Sequence, residues 1–514
     1  MYIFGKNQFD LTVNCTAKLE ISNVDVMLVL DVTGSMSSAN SGDTVTKIEG
    51  LRAAAIDFFG TLTDADIGDG RIRFGVVPYS SSVNVGGILM AKNPDWLADQ
   101  VTLPSRVPNF TVTFGNASTE VSDIYTDGTT TAGSWSSGSN VDKGLCSSSS
   151  TPPPDTTPTT GSNKPTRNQT AQYVDGDGNR ITTYDKNQKY TYYNYQYVMS
   201  GNKCKLQERV MTFTRTYKET VTEEPVQTFK NYTYQNRSFD VSYLKTGTTL
   251  VTNTGNNGVD ANVSWAGCII ERGTTAFSST KTAPSDAYDM DIDLVPDASD
   301  DDTRWKLFLP DVTYDRSQTS PLTTTGNYKN FVAKGGDYAA CPVPAMNLTE
   351  MTKDDASTFA AYINSLQPRG YTYHDAGMAW GARLISPTGL FQEENEAAAN
   401  GRPISRHIIF MTDGDMRTPR SNLSHQGQER SMPRIGATSD DDAIARHNNR
   451  FVQLCKAARE RGVTIWVVSF GVGSNSNLNK CASSGQAYEA DNAAQLNENF
   501  QSIARQISKL RLSK

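Results

Sequence analysis

The sequence predicts an α/β protein: a doubly wound, mostly parallel sheet interrupted by a large β-rich insertion. Three observations lead there. Residues 26–30 form a short apolar run that stops at Asp31, the pattern of a strand buried on both faces. Strand and helix signals alternate near both ends of the chain, as they do in parallel sheets. Between them, from about 81 to 349, no helical period is sustained.

After the opening strand, Ile48, Leu51, Ala55, Phe58 and Leu62 recur at steps of three and four. That spacing predicts an amphipathic helix laid on the sheet. Residues 71–79 read as a second strand. The alternation resumes near 350, with helices over 354–366 and 375–384 and a buried strand over 406–412 that ends at Asp413. A long helix over 440–461 carries Ile444, Phe451, Leu454 and Ala458. A strand over 463–470 follows, and a helix over 493–510 closes with Leu496, Phe500, Ile503 and Ile507 on one face.

This divides the chain into an N-terminal segment (1–22), a first sheet portion (23–80), the insertion (81–349) and a second sheet portion (350–514). Within the insertion, 129–170 is dense in Ser and Thr and carries Pro152, Pro153 and Pro154, a composition expected of a mobile loop. Strand-like pieces surround it at 188–199, 210–217, 226–234 and 239–244.

The chain has 514 residues and a formal net charge of −7, from 48 basic and 55 acidic residues. No basic stripe marks a nucleic-acid surface, so nucleic acid is set aside as a partner. The cysteines are Cys15, Cys146, Cys204, Cys268, Cys341, Cys455 and Cys481. None stands in a C-x-x-C pair, which argues against structural zinc of the finger type. Disulfides in an oxidising compartment are expected, with one cysteine left over; seven buried thiols in a cytosolic protein are the plainer alternative. No apolar stretch reaches the roughly 18–20 residues of a membrane span. Residues 1–10 lack a signal peptide's pattern, so an export signal is expected outside this chain.

Asp31, Thr33 and Ser35 place a carboxylate and two hydroxyls at alternate positions past a strand end. Hard oxygen donors of this kind suit Mg²⁺, Mn²⁺ or Ca²⁺ rather than zinc. The strand ending Thr412-Asp413-Gly414 brings a second carboxylate, and Thr372 precedes a helix in the run Gly370-Tyr371-Thr372. Ligands of doubly wound sheets sit at such carboxyl ends of strands. Singly, each has a plainer reading: a helix cap for the first run, a turn for the second.

Together they resemble the metal-ion-dependent adhesion site of von Willebrand factor type A domains, which are Rossmann-like. Asp31, Thr33, Ser35, Thr372 and Asp413 match its five positions, with Thr33 in place of the commoner Ser. The resemblance implies a bound Mg²⁺ (or Mn²⁺ or Ca²⁺) whose open position takes water or a partner's acidic residue. The runs Asp31-Val-Thr-Gly-Ser-Met36 and Arg73-Phe-Gly-Val-Val-Pro-Tyr-Ser80 further resemble the TadG family of the tight-adherence (Tad, or Flp) pilus machinery. So do Trp265-Ala-Gly-Cys268, Cys341-Pro342, the segment 377–387, 462–470, Cys481-Ala-Ser483 and the ending 503–512. That likeness implies a bacterial envelope protein, periplasmic or surface-exposed, held to the inner membrane by an upstream helix outside this chain. It also suggests disulfides Cys455–Cys481, Cys268–Cys341 and Cys146–Cys204, with Cys15 unpaired; fifteen pairings of six cysteines are possible.

Asp175-Gly-Asp-Gly-Asn179 opens like a calcium loop, but Lys186 stands where the closing Glu belongs, so a hairpin turn is expected. The acidic run from Asp289 to Asp302 reads as a solvated loop. Tyr190, Tyr192, Tyr193, Tyr195 and Tyr197 read as cross-strand packing, with a sugar- or protein-binding face as the alternative. The histidines are His374, His407, His425 and His447, without a G-x-S-x-G or H-E-x-x-H motif. The expected function is therefore a non-enzymatic, metal-dependent adhesion or assembly protein binding a pilus or envelope partner. The alternatives are a scaffold with a vestigial metal site and, more remotely, a metal-assisted hydrolase using His374.

Overall fold

The computed structural model describes residues 23–64, 70–315, 323–324, 328–473 and 475–512. The segment 1–22 and Cys15 lie outside the described residues. The chain forms two compact units, Met1–Pro108 with Asn231–Lys514, and Asn109–Lys230.

The first unit is built on a six-stranded sheet. Its strands are β1 (Asn23–Asp31), β2 (Ile72–Tyr79), β3 (Met346–Glu350), β4 (Ile404–Thr412), β5 (Val463–Phe470) and β6 (Ala487–Ala490), in the order β3-β2-β1-β4-β5-β6. All neighbours run parallel except β3, an antiparallel edge. The larger helices are α1 (Lys47–Thr63), α2 (Ala356–Asn364), α3 (His374–Ile385), α4 (Asp440–Glu460) and α5 (Ala493–Leu512). The architecture is mixed α/β with a mostly parallel sheet and extensive β structure outside it.

Alternation along β1 divides the core into two layers. Val24, Val26, Leu28 and Leu30 face Leu51 and Phe58 of α1, Phe359 of α2, and Phe500 and Ile503 of α5. Met27 and Val29 face Met378 and Trp380 of α3 and Phe451 of α4. Thr46 caps α1 through a reciprocal box with Glu49. Two glycines of α3, one turn apart, face side chains of the sheet and leave room for them. A Cβ on Gly377 would stand 2.5 Å from the Tyr79 ring, and one on Gly381 would stand 2.4 Å from Val29.

The described parts of 81–108 and 231–345 pack onto the α3 side. Leu97, Leu103, Ile269, Trp305 and Leu309 are buried in the same layer as Trp380. Two short helices, Gly86–Lys92 and Phe331–Lys334, interrupt this stretch, where no helical period was expected. Four and seven residues are too short to display one. The expected strand 239–244 ends at Asp240 and gives way to a 3-10 turn, Ser242–Thr246, closed by Gly247 at φ +79°. The acidic run is not simply solvated. Asp289 is buried and pairs with Arg450 and with Gln426, whose Nε2 donates to it at 2.8 Å.

The second unit is β structure. Strands Thr166–Val174 and Arg180–Ser200 form a hairpin, and the latter pairs with the long strand Lys203–Asp240. Asp175 builds the hairpin turn by accepting from Asp177 and Asn179 amides (3.0 and 2.8 Å), with Gly178 at φ +87°. Tyr190 stacks on Phe213 across the strands at 5.4 Å, and its hydroxyl meets Tyr217 at 3.1 Å. The expected Ser/Thr/Pro loop also joins this sheet in part. Thr131–Ala132 and Ser139–Val141 pair with the long strand, and Thr131 hydrogen-bonds Thr212. A residue-rich hydroxyl sequence can satisfy its backbone on an existing strand edge without burying apolar surface.

Disulfides join Cys146–Cys204, Cys268–Cys341 and Cys455–Cys481, the pairings that the family resemblance suggests. They fit an oxidising, extracytoplasmic compartment. Among the described residues, no helix is long and apolar enough to cross a membrane.

Candidate functional site

Strands β1 and β4 are parallel neighbours in register, Leu30 beside Met411, so their carboxyl ends deliver Asp31 and Thr412-Asp413 to one place. Asp31 is wholly buried and Asp413 is 2% exposed. The backbone N–H of Thr33 donates to Asp31 Oδ1 at 2.9 Å, fixing the turn that follows β1. Ser35 Oγ donates to Asp413 Oδ1 at 2.7 Å, and Thr33 Oγ1 lies 3.0 Å from Ser35 Oγ. Since the Ser35 proton points at Asp413, the Thr33 hydroxyl is the donor of that pair. Four of the five expected residues are thus linked: Asp31, Thr33, Ser35 and Asp413.

Thr372 stands in the loop just before α3, which begins at His374 with Tyr373 as N-cap. Its loop is stitched to the others through backbone. Gly34 N–H donates to Gly370 O (2.9 Å), Arg369 N–H to Val32 O (2.7 Å), and Arg417 N–H to Thr372 O (3.0 Å). Thr372 is 6% exposed and lies between the turn after β1 and the turn after β4. No side-chain hydrogen bond joins it to the other four.

Several contributors were not singled out in the sequence. Thr412 Oγ1 donates to Asp31 Oδ2 at 2.9 Å, and Tyr79 from β2 brings its hydroxyl within 3.4 Å of the same oxygen. Lys47, the first residue of α1, places Nζ 3.0 Å from Asp413 Oδ2. Asp337 lies over the first turn: a Cβ on Gly34 would stand 2.6 Å from its Oδ1. Thr412 was available from the Thr-Asp-Gly run itself. Lys47 and Asp337 carry no local signal, because only the folded chain brings them near.

Electrostatics set the site's character. Burial, then the negative charge of Asp413, pushes the Asp31 carboxyl from 3.8 up to about 7, against hydrogen bonds from Thr33 and Thr412 that pull it down. Two buried carboxylates this close favour a cation between them. The donors are all oxygens, a set that fits a hard divalent cation and not a thiophilic one. Lys47 supplies one positive charge from the side. Ser35 is exposed, so the cluster has a face open to solvent.

His374 does not face that opening. It is 1% exposed, with Nε2 3.0 Å from Thr412 Oγ1, and burial lowers its pKa to about 4. His425 and His447 gather instead around Asp375, and His407 bonds Ser405 and Trp466.

No family model and no curated protein matches the chain. Among solved structures, it is similar to the pilus adhesin SpaC from Lactobacillus rhamnosus GG, at 13% identity and a TM-score of 0.22. That match covers 32% of this chain and 22% of the adhesin, so the chain spans about a fifth of that protein's length. The von Willebrand factor domain of a type V pilus tip protein from Porphyromonas gingivalis matches at 13% identity and TM-score 0.21, over 34% of this chain and 83% of that one. A minor pilin, PilB from Streptococcus sanguinis, matches at 13% identity and TM-score 0.23, over 68% and 79%. TM-scores this low leave the function to be argued from the chain's own residues.

Proposed function

We propose that this protein is a non-enzymatic, cation-dependent adhesion or assembly module of a bacterial envelope, TadG-like and serving the Tad (Flp) pilus, with a von Willebrand type A fold. The observation that carries the reading is the oxygen cluster at the carboxyl ends of β1 and β4. Asp31, Thr33, Ser35 and Asp413, with Thr372 alongside, would hold Mg²⁺ (or Mn²⁺ or Ca²⁺). The bound cation supplies an electrophilic open position that accepts a carboxylate oxygen from a protein partner.

The chain's own residues prepare that position. Asp31 is held by Thr33 and Thr412 so that its carboxylate oxygens are oriented before any partner arrives. Asp413 is oriented by Ser35 on one oxygen and Lys47 on the other. Ser35 forms the exposed lip at which an acidic side chain can approach. Catalysis finds no support in His374, whose ring is buried and committed to Thr412. The same reading places the protein in the periplasm or on the surface, anchored by a membrane helix upstream of this chain.

One observation favours a second reading, a structural scaffold with a vestigial metal site. The Lys47–Asp413 ion pair already neutralises one carboxylate without a divalent ion. Partner capture from envelope extract, with and without chelator, separates the two when Asp31→Ala is run beside the native chain. Adhesion predicts capture by the native chain that chelator abolishes and Asp31→Ala lacks. Capture that ignores both would make the site vestigial.

Proton linkage gives an independent check. The folded-state pKa of Asp31 is raised, so the folded chain keeps a proton that the unfolded chain releases. Its contribution to stability is full below about 4 and is lost as pH rises through about 7. The metal-free protein should therefore lose stability across that window, and saturating Mg²⁺ should reverse the loss by favouring the ionised carboxylate. Melting temperatures from pH 4 to 8 measure this, and a metal-free profile that rises through the window would count against the assigned linkage.

A further inference from the structure

A second polar cluster, built from different donors, lies on the other side of the α3 N-terminus. Asp375 comes from the first turn of α3. His447 comes from the inward face of α4. His425 sits in the turn of a tight hairpin between Leu423–Ser424 and Gly427–Gln428. Their exposures are 2%, 3% and 2%. His447 Nδ1 lies 2.7 Å and His425 Nε2 3.2 Å from the same oxygen, Asp375 Oδ2. One ligand atom from each residue falls within 4.8 Å of the other two.

Hydrogen bonding alone leaves this cluster incomplete. Among the described residues, Asp375 Oδ1 and His425 Nδ1 are buried without a hydrogen-bond partner. Buried polar atoms are seldom left so, and each one needs a reason. The Tyr373 ring stands edge-on to both imidazoles, at 5.4 and 5.1 Å between centroids, and walls the cluster off.

We propose that Asp375, His425 and His447 bind a zinc-class transition-metal ion. Two imidazoles and a carboxylate are borderline-soft donors that select such an ion over Mg²⁺. Ligand bonds of about 2.0–2.2 Å in a tetrahedral site put neighbouring donors about 3.4 Å apart. The observed 2.7 and 3.2 Å separations need only a slight opening. The ion would engage the carboxylate whose second oxygen is otherwise unpartnered, and a water would complete the shell.

Such an ion ties α3, α4 and the 423–428 hairpin together directly behind the site at β1 and β4. Thr372 lies beside the oxygen cluster, its carbonyl bonded to Arg417 N–H, while His374 bonds Thr412 and Asp375 meets the histidines. The site therefore fixes the short segment from which Thr372 is presented. It does not depend on the oxygen cluster holding a metal.

The test uses the full chain without a histidine tag, stripped with chelator and then given Zn²⁺ or Co²⁺. The expected result is one zinc per chain retained through dialysis and a higher melting temperature. Cobalt should give the strong visible bands of a low-coordinate nitrogen–oxygen site, undiminished by a large excess of Mg²⁺. Asp31→Ala should keep these signatures and His447→Asn should lose them. If His447→Asn does not fold, zinc X-ray absorption on the native chain decides, with two imidazoles per zinc expected. No retained zinc with only the pale spectrum of hydrated cobalt, zinc held equally by a folded His447→Asn, or absorption without imidazole would each overturn the proposal.

Discussion

Glu271→Ala is expected to destabilise the first unit by about 3–5 kcal/mol, the range for breaking one side of a buried ion pair. Glu271 is 2% exposed and lies in the segment that returns from the second unit toward β3. Its carboxylate accepts from Arg383 Nη1 at 2.8 Å and Trp380 Nε1 at 3.0 Å, both on α3, and from Trp305 Nε1 at 3.1 Å. Arg383 is itself wholly buried, so the truncation would strand a guanidinium and two indole donors away from water. The companion Glu271→Ala/Arg383→Met should recover part of the loss by removing the stranded charge. Urea unfolding of the three proteins measures it. A single-variant loss below about 1 kcal/mol, as for an exposed pair, would show that Glu271 does not pin α3.

Cys341→Ser is expected to cost about 4 kcal/mol, from the entropy regained by the unfolded chain when a closed loop is opened. The Cys268–Cys341 bond spans 73 residues, against 26 for Cys455–Cys481. Opening the longer loop should therefore cost slightly more than Cys481→Ser. The position adds a local effect. A Cβ on Gly370 would stand 2.5 Å from that of Ala340, so the backbone beside Cys341 buttresses the loop that carries Thr372. Reduction should consequently weaken cation binding as well as stability, while Cys481→Ser should lower stability alone. Equal cation affinity in Cys341→Ser and the native chain would separate the bond from the site.

Much of the sheet was legible because burial writes itself into short apolar runs. The strand over 463–470 is found where expected, and α4 differs from its expected span by one residue. The residues of the oxygen cluster were legible for a different reason. A strand that stops at a carboxylate followed by alternate hydroxyls is a local pattern, and so is Thr-Asp-Gly after β4. What was not legible is what distant segments contribute. Lys47 reads as an ordinary helix start, yet its ammonium sits against Asp413. Asp289 sits among acidic neighbours that suggest solvent, yet Arg450 from α4 draws it into the core. The histidines show no metal spacing in sequence because 50 residues separate Asp375 from His425 and 72 separate it from His447, and only the packing of the 423–428 hairpin and α4 against α3 brings the three together. The long strand over 203–240 was read as separate pieces, because an exposed strand lacks the apolar runs that would mark its continuity.

As proposed above, Asp31, Thr33, Ser35, Thr372 and Asp413 hold one divalent cation. The most direct measurement is Mn²⁺ binding followed by electron paramagnetic resonance, on the chelator-stripped chain and on Asp31→Ala, each first shown to be folded. Zinc is added beforehand to both, so that the histidine cluster cannot take up manganese. One Mn²⁺ per native chain is expected, displaced by Mg²⁺, and none at the same concentration in Asp31→Ala. Equal binding by the two proteins, or none by either, would contradict it.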